Sequence, residues 1–184
     1  MSYLDESLTK LTGFEGCVPY MYLDTTGNVT VGVGRMLASV NDAVDLPFAV
    51  SGRAATLYEI SADFARVKAM KSGLPAREYR CSTSPVLDSG TIEAMLEAKL
   101  DEFDRALKTR LPGYVQAPDV AKVALLDMAY NLGIAGLLGK FPHFCAAVDA
   151  GEWQLAAAHC QRIGPNAERN EWTKEQFLAA EQAA

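Results

Sequence analysis

Glu15, Asp24 and Thr30 lie close together in the sequence, with eight residues between the first pair and five between the second. They fall in a run from Gly13-Phe14-Glu15-Gly16 to Val31-Gly32-Val33-Gly34. Two carboxyls and a hydroxyl suit general acid-base chemistry. One protonated acid serves a leaving oxygen, and one ionised partner works on water or on a sugar. Taken singly, a Glu after a helix and an Asp before a turn also read as capping and turn residues. Their joint spacing, with the glycines, favours hydrolysis of a glycosidic bond.

The elements that must position these groups follow from periodicity. Leu4, Leu8 and Leu11 share one face of a helix predicted over Ser2 to Thr12, which Gly13 should end. Tyr20 to Arg35 is predicted to form a β-hairpin turning at Thr25-Thr26-Gly27-Asn28. Strand parity groups Val29, Val31 and Val33 on a core face. It groups Thr30, Gly32 and Gly34 on an opposite face expected to stay open, and Tyr22 shares a face with Asp24. Phe14 and Val18 are placed to desolvate Glu15.

Leu37 to Arg53 reads as loop-rich. A helix is expected from Thr56, with Glu59 completing a capping box, and should stop by Gly73. Gly73 to Asp88 reads as a surface loop that is long enough to hold a helical turn. Ile92, Leu96, Leu100, Phe103 and Leu107 mark an amphipathic helix. The nearly all-apolar run Val120 to Tyr130 marks a central buried one. Gly133, Gly136 and Gly139 should form a connection, two short helices should flank Gly151, and a last helix should cover about Glu171 to Ala180.

Composition narrows the classes. The chain has 184 residues, 49% of them hydrophobic, and a net charge of −6. That suits one domain with its own core. No basic cluster accompanies the aromatics, so nucleic acid is not expected as a partner. No apolar run suits a bilayer span, so membrane insertion is not expected either. Met1 to Glu6 lacks the pattern of a secretory signal, which predicts synthesis in the cytoplasm. Cys17, Cys81, Cys145 and Cys160 read as free or buried thiols. A Cys145–Cys160 bridge and a zinc site using His143 and His159 are the alternatives, the latter against the usual ligand spacing.

Phe14-Glu15-Gly16, Tyr22-Leu23-Asp24-Thr25, Gly27 and Thr30-Val31-Gly32-Val33-Gly34 together resemble the phage-type lysozymes (endolysins). Leu126 to Gly133 resembles the end of that family's central helix, and Gly164 through Arg169 to Phe177 its C-terminal region. The resemblance implies an α+β, mostly helical, lysozyme-like fold over 1–184. A small hairpin lobe at 13–53 would pack against a helical lobe at 54–184, with the active site in the cleft between. It implies a muramidase that cleaves the MurNAc-GlcNAc β-1,4 bond of peptidoglycan.

In that reading Glu15 is the general acid, Asp24 the partner carboxylate and Thr30 the residue that holds the attacking water. The family resembled is mainly associated with inversion, which needs carboxyls about 6.5–9.5 Å apart. Arg169 would orient Glu15, and Tyr22, Gly32, Gly34, Arg35 and Asn131 would bind substrate or support the site. Arg35 stands where compact phage enzymes often carry histidine. Trp153 and Trp172 read as core residues, with sugar stacking as the alternative.

No cofactor or metal is implied. The expected partners are peptidoglycan strands, with an immunity protein or a delivery component if the chain is an antibacterial toxin domain, and the chain should be a monomer acting in a target cell's periplasm. The toxin-domain reading stands beside that of a phage lysis enzyme. Acidic charge, unlike that of many basic relatives, weakens steering to an anionic wall. A non-catalytic glycan-binding module and a chitin or chitosan hydrolase remain the rival readings.

Overall fold

The computed structural model describes residues 2–183. These form a mostly helical α+β chain with short antiparallel strands near the N-terminus, as expected. In chain order the elements are α1 (Tyr3–Glu15), β1 (Val18–Leu23), β2 (Val29–Gly32), β3 (Arg35–Met36), α2 (Val40–Val44), β4 (Ala49–Val50) and β5 (Arg53–Ala54). Then come α3 (Leu57–Lys68), a 3-10 turn (Ala76–Tyr79), α4 (Ser89–Arg110), α5 (Pro112–Gln116), α6 (Asp119–Lys140), α7 (Pro142–Ala150), α8 (Trp153–His159) and α9 (Ala167–Ala183). The chain divides into two compact units. One is Glu15–Leu96. The other joins the residues up to Phe14 with those from Glu97 onward. Residues 54–96, expected with the helical lobe, thus share a unit with the strands.

The unit Glu15–Leu96 is built on a three-stranded sheet in the order β1-β2-β3. Leu23 pairs with Val29 and Tyr22 with Thr30, and an irregularity interrupts the register between Tyr22 and Val18. β2 is therefore a central strand, and all four of its residues are buried. This corrects the expected open face. At Gly32 a Cβ would stand 3.2 Å from Ile92 Cγ2, so Ile92 covers the glycine that was to lie bare. Thr30 is only 2% exposed.

The predicted turn forms, with the Gly27 amide donating to the Asp24 carbonyl at 3.1 Å. β4 and β5 make a second small sheet within the stretch expected to be loop-rich. Val86 stitches the two sheets: it bridges both Tyr20 and Ala49, and the Leu87 amide donates to the Pro19 carbonyl at 2.8 Å. α3 begins as expected. The Glu59 amide donates to Thr56 Oγ1 at 3.3 Å, and the Thr56 amide donates to Glu59 Oε2 at 2.8 Å.

α1 runs past Gly13 to Glu15, because the left-handed residue that stops it is Gly16 (φ 70°). Glu15 is thus the last helical residue rather than one beyond the helix.

In the other unit, α6 is the buried centre, with every residue from Val123 to Ala129 inaccessible. Its regular run stops at Gly133, whose φ of 68° and ψ of 157° are not helical, and a further helical stretch continues to Lys140 where a connection was expected. The Phe177 ring packs edge-on to Phe144 at 5.2 Å and stacks on Trp153 at 6.5 Å. Burying such a ring stabilises the unit by about 1.5–3 kcal/mol. Asp104 accepts the hydroxyls of Tyr3 and Tyr114 at 2.9 and 2.8 Å, tying α1 and α5 to α4.

By length and apolar composition α6 alone among the described helices matches a membrane span, yet half of its most apolar stretch is buried in the protein. Asp127 at its centre is ion-paired with two arginines, which suits a core helix. All four cysteines are free thiols, so the Cys145–Cys160 bridge does not form. The rings of His143 and His159 lie 5.6 Å apart, but no group of three metal-ligating side chains forms among the described residues.

Candidate active site

Seven of the sequence-predicted residues, Glu15, Tyr22, Asp24, Thr30, Gly32, Gly34 and Arg35, fall in the unit Glu15–Leu96. Asn131 and Arg169 fall in the other.

Asp24 follows β1 and is held by the turn it opens. Its Oδ1 accepts the Thr26 amide at 2.9 Å, the Thr26 hydroxyl at 2.8 Å and the Asn28 amide at 2.8 Å. Its Oδ2 accepts the Asn28 side-chain amide at 3.2 Å. The capping-and-turn role that the sequence allowed is therefore realised. It also tunes the carboxyl. Burial pushes the Asp24 pKa up, but the Asn28 and Thr26 hydrogen bonds together outweigh it and hold the group below its ordinary value. An Asp24 kept ionised has the charge required of a partner carboxylate.

Thr30 lies directly across the ladder from Tyr22, so the two side chains share a face. Its hydroxyl donates to the Asn28 carbonyl at 3.2 Å. Asn28 thus ties Thr30 and Asp24 to one turn. Tyr22 joins the carboxyls electrostatically. Burial, then the negative charges of Asp24 and Glu15, raise its phenol above the ordinary value. Both acids therefore act on one tyrosine.

Glu15 is exposed at the end of α1. The neighbouring Phe14 ring meets Trp172 edge-on at 5.1 Å and carries the Arg169 guanidinium over its face at 5.1 Å. Gly34 is exposed with φ 74°, and Arg35 is exposed at the start of β3, opposite Val31. Asn131 is exposed on α6, two residues before the Gly133 break. Trp153 is buried, as expected, and Trp172 is half-buried against Phe14.

Arg169 is buried and donates from Nε and Nη2 to Asp127 Oδ1 at 2.9 and 2.6 Å. Sequence reasoning missed Asp127 and Arg162, which complete this cluster. Asp127 sits in an otherwise apolar helical run, and an acid so placed was the available signal. Thr26 and Asn28 were seen as turn residues but not as the holders of Asp24.

A pocket of about 210 Å³ is lined by Tyr58, Asp63, Arg66 and Cys81 among others, and by none of the candidate catalytic or substrate-binding residues named from the sequence.

No curated protein sequence matches the chain. The phage lysozyme family model matches residues 12–173, a span that takes in the Glu15, Asp24 and Thr30 region, α6 and the start of α9. With that match over most of its length, the chain belongs to the phage lysozyme family.

Proposed function

We propose that this chain hydrolyses the MurNAc-GlcNAc β-1,4 bond of peptidoglycan, with Glu15 as general acid and Asp24 as partner carboxylate. Membership of the family carries a peptidoglycan-degrading, lysozyme-type function in general terms. The residue roles rest on the electrostatic environment of Tyr22, whose phenol feels the charges of Asp24 and Glu15 together. Two carboxyls close enough to act on one polar side chain supply the pair of acids that such hydrolysis uses.

The exposure of Glu15 leaves its carboxyl reachable by a glycosidic oxygen. The hydrogen bonds on Asp24 favour its charged form. Thr30 completes the set. Its oxygen donates to Asn28 and retains acceptor capacity for one enclosed water.

The net charge of −6 argues against long-range attraction to an anionic wall. A chain that does not steer itself to the wall suits delivery by a partner, as an antibacterial toxin domain that acts in a target cell's periplasm and is countered in the producer by an immunity protein. A phage lysis enzyme is the other role of the same chemistry.

The test is turbidity clearing of purified sacculi by the wild type and by Glu15→Gln. The wild type should release reducing ends and the variant should lose at least about a hundredfold in rate while still binding. Equal clearing by both proteins would remove Glu15 from the mechanism. Binding without clearing by either would identify a glycan-binding module. Cleavage of chitin or chitosan in preference to sacculi would change the substrate.

A further inference from the structure

We propose that Asp127 is a positioning residue for the end of α1, holding Arg169 so that its guanidinium fixes Phe14 and, through it, Glu15. The inference deepens the hydrolytic reading and rests on Glu15 being its acid.

The geometry begins in α6. Asp127 is 2% exposed and pairs with two guanidiniums. Arg169 donates twice to Oδ1, which fixes the plane of its guanidinium as well as its position. Arg162 Nη2 lies 2.8 Å from Oδ2, while Nη1 donates to the Asp127 carbonyl at 3.3 Å and Nη2 to Thr173 Oγ1 at 2.7 Å. Thr173 Oγ1 in turn donates to the Arg169 carbonyl at 2.8 Å. Thr173 Oγ1 also lies 3.3 Å from Asp127 Oδ2, so the carboxylate is held by Arg169 and Thr173 of α9 and by Arg162 just before that helix.

Arg169 and Trp172 stand three residues apart on α9, so they share a face. Both reach the Phe14 ring, one over its face and one at its edge, each at 5.1 Å. Lys10, one turn earlier on α1, lies over the Trp172 ring at 5.7 Å. Phe14 is thus clamped by α9, and the clamp is anchored to α6 through Asp127.

The next residue is Glu15, exposed and last in its helix, where fraying is otherwise expected. A catalytic acid must be held to within about 0.5 Å. An arginine carries large rotamer freedom unless it is fixed. Asp127 removes that freedom, one contact away from the ring beside the acid.

The test uses the full chain as wild type, Asp127→Asn, Phe14→Leu and the double variant. Saturation kinetics on sacculi separate kcat from KM, and backbone 15N relaxation reads the Phe14 and Glu15 amides. Each single variant should lower kcat by about tenfold or more with KM held within about twofold. The double variant should be little worse than either single one, because both break the same chain of contacts. The Glu15 amide order parameter should fall from about 0.85 toward 0.6 in all three.

Losses that multiply in the double variant and follow thermal stability, with the Glu15 amide unmoved, would overturn the proposal. If Asp127→Asn fails to fold, Arg169→Lys keeps the charge but loses the two-point grip, and should give the same kcat loss and the same amide change. An unmoved amide and kcat in that variant would overturn the proposal equally. If the wild type clears no sacculi, the hydrolytic reading fails by itself, while the amide measurements still decide whether Asp127 orders the end of α1.

Discussion

Asp24 and Asn28 are joined twice: Asp24 Oδ1 accepts the Asn28 amide at 2.8 Å, and Asp24 Oδ2 accepts the Asn28 side chain at 3.2 Å. One carboxylate therefore has a turn to hold and, in the proposed mechanism, a charge to supply. Two substitutions separate these duties. Asp24→Ala removes every acceptor and should cost about 2 kcal/mol, lowering Tm by about 4–8 °C. Asp24→Asn keeps an Oδ1 acceptor, so it should lose less stability while clearing sacculi at least about a hundredfold more slowly. An Asn variant with wild-type clearing would leave Asp24 as a turn former alone. The pH dependence follows from the depressed pKa. The folded carboxyl titrates below the unfolded one, so its contribution is fully present above about pH 3.9 and fades as pH falls through the folded value. The stability gap between wild type and Asp24→Asn, read by denaturant titration, should narrow on acidification below about pH 4.

Cys81 should be the first thiol to react. It is exposed, and its sulfur lies 3.4 Å from the hydroxyls of both Ser84 and Thr83. Those hydrogen bonds, Ser84 first, hold its pKa below the ordinary thiol value. Burial pushes the thiols of Cys17, Cys145 and Cys160 up. Limiting iodoacetamide near neutral pH, followed by peptide mass spectrometry, should place the first label on Cys81. Cys81→Ser should abolish the fast phase. Earlier labelling of Cys17 would contradict this ordering.

Gly113 should tolerate no side chain. A Cβ there would collide with the Val148 carbonyl and lie 2.5 Å from the Asp149 Cα, all backbone that cannot swing aside. The same residue donates its amide to Asp149 Oδ1 at 2.7 Å. Gly113→Ala should cost about 3 kcal/mol, or about 6–12 °C in Tm. Gly139 is the control: it lies in α6 with open space around its Cα, so Gly139→Ala should stabilise by about 0.5–1 kcal/mol. Thermal unfolding of the two variants would distinguish a steric requirement from a general intolerance of substitution.

The readable parts of the chain were those fixed by local chemistry. Thr56 and Glu59 announce a helix start because both partners of the capping box lie within one turn. The turn after Asp24 is written in Thr25-Thr26-Gly27-Asn28 for the same reason. Parity also assigned the residues of β2 to two faces, but it could not say what covers each. Ile92 lies far along the chain, and only tertiary packing brings it to Gly32. Glycine proved ambiguous where spacing alone was used: Gly13 is helical, while Gly16 takes the left-handed conformation that ends α1. The site divides in the same way. Asp24 and its turn were legible locally, whereas Asp127 and Arg162 become meaningful only when α6 and α9 meet.

The stitching of both small sheets by Val86 bears on how copies of this chain behave toward each other. Exposed strand edges are templates for joining one molecule to the next. Here Val86 occupies the backbone groups of Ala49, and Leu87 takes the Pro19 carbonyl beside it. The opposite edge of the larger sheet is β3, only two residues long and headed by a charged Arg35. The native fold therefore offers little edge for fibre growth, and intermolecular strand pairing must wait until the segment around Val86 has peeled away.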